Sequence, residues 1–391
     1  ATVTPVAPGN GTPTGTLTLT GPAGLDQTTD LAPDGTTCIT ADNLTTGTIT
    51  ATYNGDTCFT PSTGTTPVTI TPAASTVSLT ADPTPSVCGQ PVTVCATVTP
   101  VAPGNGTPTG TLTLTGPAGL DQTTDLAPDG TTCITTTMLE TGLVTATYNG
   151  DGCFTPSTSS ADVAVNPAAS AVSVSAVSNT SVCGETVTVC ATVTAVAPGN
   201  GTPTGTITFT GAGLDETVDV AVDGTACATT SSLTTGTVTA TYSGDGCLLP
   251  STGSADVTVV PAASTVSVTV DPSPSVCGQP VTVCATVTPV APGSGTPTGS
   301  VTFLLSDGTT QAVGLDANGS ACVTSSSLIT GAVTAVYNGD GCFLASTGSA
   351  DVTVEPAASS VSVTVDPSPS VCGQPVTVCA TVTPVAPGSG T

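Results

Sequence analysis

Four cysteines recur in the same order along this chain, and this repeat limits what the chain can fold into. The set Cys38, Cys58, Cys88 and Cys95 returns three more times, at intervals of about 95 residues. An interval of that length is long enough for a small domain with its own core. The sequence therefore predicts tandem copies of one module.

The sequence Pro-Ala-Ala-Ser begins each copy and sets the predicted boundaries. Complete modules are expected at residues 72–166, 167–260 and 261–355. Residues 1–71 are predicted to supply only strands C to G of a module, and residues 356–391 only strands A and B. The segment "ATVTPVAPGNGT" at the start nearly repeats at the end, so we expect a window cut from a longer repeat polypeptide. The alternative is a chain whose tail completes the head of the next copy.

Apolar residues alternate with polar ones inside each module, which is typical of strands that have one buried face. "YNGDG" contains an Asn-Gly pair, which favours a two-residue hairpin turn between the last two strands. The fold class is predicted to be all-β, with immunoglobulin-like β-sandwich modules of about 95 residues that form a rod. In the first complete module the seven strands, A to G, are expected near residues 76–81, 92–98, 110–115, 122–126, 131–136, 143–148 and 160–165.

The composition excludes several classes of function. The chain has 26 acidic residues and no Lys, Arg or His. Nucleic acids and anionic membranes are recognised through cationic side chains, so neither is an expected partner. The usual catalytic bases and oxyanion donors are also missing, and every apolar run is too short to span a membrane.

Three stretches of the first complete module resemble a known repeat. They are "PSVCGQPVTVCATVTPVAPGNGTPTGTLTLTG", "DGTTCIT" and "LETGLVTATYNGDGCFTPSTSSADVAV". The resemblance is to the bacterial Ig-like repeat of large cell-surface and secreted proteins. It implies an extracellular spacer or adhesive module with no catalytic residues. The chain departs from that pattern in its cysteines, and it lacks the Trp and the cysteine pair between strands B and F of antibody domains.

One cysteine pair in each module is predicted to bond within a sheet. Cys95 follows the inward residue Val94 on strand B, and Cys133 precedes the inward residue Ile134 on strand E, so both cysteines point outward. In the immunoglobulin-like topology strands B and E are antiparallel neighbours, which brings opposed residues within reach of a disulfide. The predicted pairs within modules are Cys95 with Cys133, Cys190 with Cys227, and Cys284 with Cys322.

The other two cysteines of each module are predicted to bond across module boundaries. Cys88 lies at the A–B corner, at the opposite end of its module from Cys153. In a tandem array that corner adjoins the F–G turn of the next module, which predicts the pairs Cys88 with Cys247 and Cys183 with Cys342. Bonds between chains are the alternative. The remaining cysteines assigned to bonds between modules or between chains are Cys58, Cys153, Cys277 and Cys372.

No metal site or cofactor is expected. The spacing Cys-x6-Cys without His does not suit zinc. Carboxylates that could contribute to a calcium site occur in the acidic stretch 213–224, in the Gly-Asp-Gly turns (Asp151, Asp245 and Asp340) and at Asp82, Asp271 and Asp366. Val177 replaces the Asp82 equivalent in the second module, so no uniform site is predicted and calcium is only an open alternative. Scattered carboxylates do not suit glycoside hydrolysis. Sequons, which leave attached glycans open, occur at Asn10, Asn43, Asn105, Asn179, Asn200 and Asn318.

Three functional classes follow from these observations. A structural extracellular filament or stalk is favoured, because near-identical cross-linked modules would stiffen an array. An adhesin whose repeats present or bind a ligand is the alternative, and an enzyme is disfavoured. The expected location is extracellular or at the cell surface. The expected partners are copies of the chain, or continuing repeats of it along a fibre.

Overall fold

A computed structural model describes residues 1–176 and 180–389. Val177 and Asn179, both considered above, lie outside the described residues. The chain divides into two compact units. The first unit comprises residues 1–86 and 90–166, and the second comprises residues 87–89 and 167–391. Both are built from short β-strands, as the alternating pattern predicts.

The first unit begins with one four-stranded sheet of order β2-β1-β3-β4. A single 3-10 turn, Pro22–Gly24, connects its first two strands. The strands are β1 (Thr16–Thr20), β2 (Asp26–Asp30), β3 (Gly47–Tyr53) and β4 (Ser62–Val68).

The stretch 72–166 forms a two-sheet sandwich. Its strands are β5 (Ser75–Asp82), β6 (Ser86–Val87), β7 (Val92–Pro100), β8 (Thr111–Thr115), β9 (Asp121–Asp125), β10 (Thr131–Thr136), β11 (Gly142–Tyr148), β12 (Ser157–Val163) and β13 (Val165–Asn166), with a 3-10 turn at Pro117–Gly119. One sheet has the order β10-β7-β5 and the other the order β12-β11-β8-β9.

The core of this sandwich lies between the inward faces of the two sheets. Val94 of β7, Leu114 of β8 and Tyr148 of β11 are fully buried. On these strands the residues between the buried ones are Thr or Cys and face outward, as does the exposed Leu143 at the start of β11. The period-two alternation read from the sequence therefore separates core from surface correctly.

The second unit contains two more sandwiches with the same plan. Residues 167–260 form sheets of order β14-β16-β19 and β15-β21-β20-β17-β18. Their strands are β14 (Ser170–Ala176), β15 (Thr180–Val182), β16 (Val187–Ala195), β17 (Thr206–Gly211), β18 (Leu214–Asp219), β19 (Thr225–Thr230), β20 (Gly236–Tyr242) and β21 (Ser251–Val260).

Residues 261–355 form sheets of order β22-β24-β27, β26-β25-β28-β29 and β23-β30, and the two strands β31 and β32 follow as a pair. The strands are β22 (Ser264–Asp271), β23 (Ser275–Val276), β24 (Val281–Pro289), β25 (Ser300–Leu304), β26 (Thr310–Gly314), β27 (Ser320–Ser325), β28 (Gly331–Tyr337), β29 (Ser346–Val352), β30 (Val354–Glu355), β31 (Ser359–Asp366) and β32 (Thr377–Pro384).

The fourth predicted strand corresponds to β9, which pairs with β8 and so lies in the sheet of strands F and G, a placement that the sequence pattern left open. The predicted two-residue hairpin is wrong, because strands β11 and β12 are joined by the longer loop 149–156. In that loop the Asp151 carboxylate accepts hydrogen bonds from backbone N–H groups, which stabilises a wider turn than Asn-Gly alone would form.

Candidate functional site: the disulfides and the joints between modules

Each complete sandwich has a disulfide between two neighbouring strands of its three-stranded sheet. On β7 and β10, Cys95 lies directly opposite Cys133 in an antiparallel register. The two residues are bonded, with a Cα–Cα distance of 4.1 Å. The Cys190–Cys227 and Cys284–Cys322 bonds repeat this arrangement with the same distance. Each bond joins the central strand of that sheet to one of its edge strands.

Two further disulfides each connect the A–B corner of one repeat to the F–G turn of the following repeat. Cys183 is bonded to Cys342, with a Cα–Cα distance of 5.3 Å, and Cys88 is bonded to Cys247, with 5.4 Å. Both bonds span 159 residues of sequence. The same two positions of the repeat are therefore joined twice, one module apart.

A short parallel strand pair positions Cys183, and the same pairing recurs beside Cys277, which forms no disulfide within the described residues. Strand β15 runs parallel to the end of β21, and the Cys183 N–H then donates to the carbonyl of Val260 at 2.9 Å. The Cys277 N–H donates to the carbonyl of Glu355 at 2.8 Å in the same way. These bonds hold the cysteine at the edge of its own sandwich.

The second cysteine lies on a turn that an aspartate organises. Oδ1 of Asp245 accepts hydrogen bonds from the backbone N–H groups of Cys247 and Leu248, at 2.8 and 2.7 Å. Oδ2 accepts from the backbone N–H and the hydroxyl of Thr204. Leu248 is fully buried, so the turn is fastened to the core directly beside Cys247.

These hydrogen bonds change the ionisation of the aspartate. Burial alone would raise the pKa of Asp245, but the donors from Thr204, Leu248 and Cys247 outweigh burial and lower the pKa to about 2. Asp151 and Asp340 accept the same four kinds of hydrogen bond, and their pKa values are also about 2. These aspartates, which the sequence reading considered only for calcium, organise the turn that carries a cysteine.

We use the word joint for each place where a Cys-Gly pair contacts a Gly-rich loop. The pairs are residues 88–89, 183–184 and 277–278, and the loops contain Asn200, Ser294 and Ser389. Backbone N–H of Asn200 donates to the carbonyl of Cys88 at 3.2 Å. The Ser294 hydroxyl donates to the carbonyl of Gly184, and the Ser389 hydroxyl donates to the carbonyl of Gly278. The same two segments of the repeat therefore meet three times.

The glycine of this pair is required by space as well as by backbone conformation. A Cβ atom on Gly184 would lie 1.9 Å from the carbonyl oxygen of Ser294, where no side chain fits. The corresponding distances at Gly89 and Gly278 are 1.2 and 1.8 Å. All three glycines also have φ between 72° and 80°, a conformation that other residues rarely adopt. The sequence reading missed these glycines, although their fixed place after Cys88, Cys183 and Cys277 was a visible signal.

Six cysteines of the described chain form no disulfide and are exposed. Two of them, Cys38 and Cys379, occupy the strand E and strand B positions in the partial stretches. The other four, Cys58, Cys153, Cys277 and Cys372, occupy the joint positions, and their assignment to bonds between modules or chains stays a prediction.

Residues 1–176 and 180–389 contain no group of three or more Cys, Asp or Glu side chains placed to hold a metal ion. Within the same residues, no helix has the length and apolar character needed to cross a membrane.

The repeated disulfide-linked sandwiches define a tandem immunoglobulin-like protein. The model of the bacterial Ig-like domain family, group 3, matches residues 79–166, 174–260 and 268–355, which is about two thirds of the chain. The chain belongs to that family. No curated protein matches its sequence.

Several solved structures align with a large part of the chain. One comes from work on the host cell surface retention of a 1.5-MDa bacterial ice-binding adhesin: 22% identity, 73% of this chain, 99% of that chain and a TM-score of 0.24. The Escherichia coli adhesin FdeC gives 19% identity, 71% and 96% coverage and a TM-score of 0.23. A titin fragment, domains A168–A170, has 12% identity and a TM-score of 0.32, and the match covers 72% of this chain and 100% of that fragment. These values carry no statement about function.

Proposed function

We propose that this chain is a structural part of an extracellular filament or stalk, built from disulfide-stapled tandem Ig-like modules. The proposed modules are residues 72–166, 167–260 and 261–355, with residues 1–71 and 356–391 as parts of further modules. The observation that carries the proposal is the joint, which is assembled from the same segments of the repeat three times. A repeated, specific joint is what a spacer needs in order to transmit position along an array.

The chemistry of the chain supports an extracellular location. Disulfides persist in oxidising compartments, and this chain carries five in its described residues. Its partners are proposed to be copies of the chain or continuing repeats, with glycans as an addition at the sequons. A chain without Lys, Arg or His offers few groups for catalysis, so a role other than that of an enzyme is part of the proposal.

The stiffness of the joint tests this function. Residual dipolar couplings of the oxidised chain should fit a single alignment tensor for residues 180–260 and 261–355. In the Gly184→Ala variant, the couplings of the two ranges should require two different alignment tensors, because the added Cβ clashes with the Ser294 carbonyl oxygen. Gly373→Ala is the matched control, since this glycine also follows Ser-Val-Cys and has a φ of +89° but nothing within 4 Å of its Cβ position.

Two results would count against the structural role. Independent tumbling of the two stretches in the unmodified chain would show that the joint transmits no orientation. Binding of a defined glycan or protein by the intact chain, at micromolar or tighter affinity, would favour the adhesin alternative instead. Surface plasmon resonance against glycan and matrix-protein panels measures this binding.

A further inference from the structure

We propose that the two disulfides between modules interlock to form a covalent ladder, which carries tension past unfolded modules and limits how far the chain can extend. This inference rests on the proposed structural role, since only a chain under tension would use it. It follows from the order in which the bonded cysteines occur along the chain.

The two bonded loops overlap. One bond closes residues 88–247 and the other closes residues 183–342, so residues 183–247 belong to both loops. Each bond therefore acts as a node where two distant parts of the chain meet. Tension that enters at Cys88 and leaves at Cys342 passes from the first node to the second.

Three segments of chain connect these two nodes. They are residues 88–183, 183–247 and 247–342. All three begin at one node and end at the other, so they carry load in parallel. The shortest of them sets the limit of extension, however completely the sandwiches unfold.

The disulfides inside the sheets shorten each connection further. The Cys190–Cys227 bond reduces the middle segment to residues 183–190 and 227–247. This path reaches about 110 Å when fully extended, whereas residues 88–342 without disulfides would reach about 900 Å. The outer segments keep longer paths, even with the bonds Cys95–Cys133 and Cys284–Cys322 in place.

Pulling the full chain by peptide tags at its two ends, in optical tweezers, measures this limit. Free thiols are first alkylated, and the disulfide pairs of every variant are verified by non-reducing peptide mapping. The flanking residues 1–88 and 342–391 contribute the same length in every variant, so differences in contour length report on the ladder alone.

Removal of the nodes should have unequal effects. The double replacement Cys88→Ser/Cys247→Ser should lengthen the span from residue 88 to residue 342 about twofold, because an outer segment then sets the limit. Additional removal of Cys183 and Cys342 should bring the total to between four- and fivefold. Equal increments for the two steps would show that the loops act independently and would overturn the proposal.

Two chemically matched variants give a second test. Removing Cys190 and Cys227 should lengthen the span about twofold, because the shortest path loses its shortcut. Removing Cys95 and Cys133 deletes the same kind of bond from an outer segment and should leave the limit unchanged. The same lengthening in both variants would overturn the ladder. This outcome is independent of joint stiffness, so the ladder can fail while the structural role stands.

Discussion

At the scale of single residues, the aspartate of the F–G turn controls where a cysteine lies. Asp245 accepts five hydrogen bonds, one of them from the Tyr242 hydroxyl, and presents Cys247 beside the buried Leu248. A carboxylate suits this place because both of its oxygens are acceptors, whereas an amide would turn a donor toward N–H groups. The position of one disulfide therefore depends on a side chain that is not a cysteine.

Replacing Asp245→Asn should weaken the turn by about 1 kcal/mol, because partly buried N–H groups lose a charged acceptor. The Cys88–Cys247 bond should then be reduced at a lower dithiothreitol concentration, as followed by alkylation and mass spectrometry. Asp215→Asn serves as the control, because that side chain is exposed on β18 and removes the same charge. Equal sensitivity of the two variants to reduction would show that charge alone, and not the turn, protects the bond.

The pH dependence of stability follows from the same residues. Hydrogen bonds lower the pKa of Asp151 from 3.8 to about 2 despite burial, so the carboxylate stabilises the fold above pH 4 and this contribution is lost as the pH falls toward 2. Burial and the Asp151 charge raise the pKa of Tyr148 to about 12, so its contribution is lost as the pH rises from 10 to 12. With no His in the chain, the free energy of unfolding should be level between pH 5 and 8. Urea denaturation at a series of pH values measures this profile, and a step near pH 6.5 would contradict it.

At the scale of strands, the disulfide between β7 and β10 acts on two neighbours in one sheet. It closes a loop of 38 residues, for which the expected stabilisation is about 2–4 kcal/mol. The buried residues of the same strands, such as Val94 and Ala96, already hold the sandwich together. The bond therefore adds stability to a register that packing has chosen.

The double replacement Cys95→Ser/Cys133→Ser should speed amide hydrogen exchange in β7 and β10 by a factor that corresponds to that loss. Peptides from β24 and β27, which keep the bond Cys284–Cys322, are an internal control in the same sample. Faster exchange confined to β7 and β10 would support the local role. Equal acceleration in all sandwiches would show that the bond acts on the whole chain.

At the scale of the whole molecule, charge has only one sign. The chain has a formal charge of −26 at pH 7 and no cationic side chain. Most proteins become positively charged in acid and repel one another there, but protonation can only bring this chain close to neutrality. Neutral proteins associate, because the charge repulsion that keeps them apart is lost.

Light scattering should therefore rise as the pH falls from 4 to 2 and should not decrease again at the lowest pH. A variant in which exposed serines such as Ser78 and Ser267 are replaced by Lys gains positive charge in acid and should scatter less. If the unmodified chain stays monomeric at pH 2, the charge argument is wrong.

The sequence by itself determined the all-β class, the Ig-like family and the inward and outward faces of the strands. These features are local, because period-two alternation depends only on neighbouring residues. The repeat also indicated which cysteines occupy equivalent places. Alternation put Cys95 and Cys133 on an outer face, although placing them on adjacent strands needed the fold that the family resemblance supplied.

Only the tertiary structure decided the rest. It placed β9 beside β8, replaced the expected two-residue hairpin with the loop 149–156, and set Cys95 directly opposite Cys133. It also revealed that Gly184 meets the Ser294 carbonyl. The physical reason is that strand partners and close backbone approaches join residues far apart in sequence, and a local pattern carries no information about which distant segments will meet.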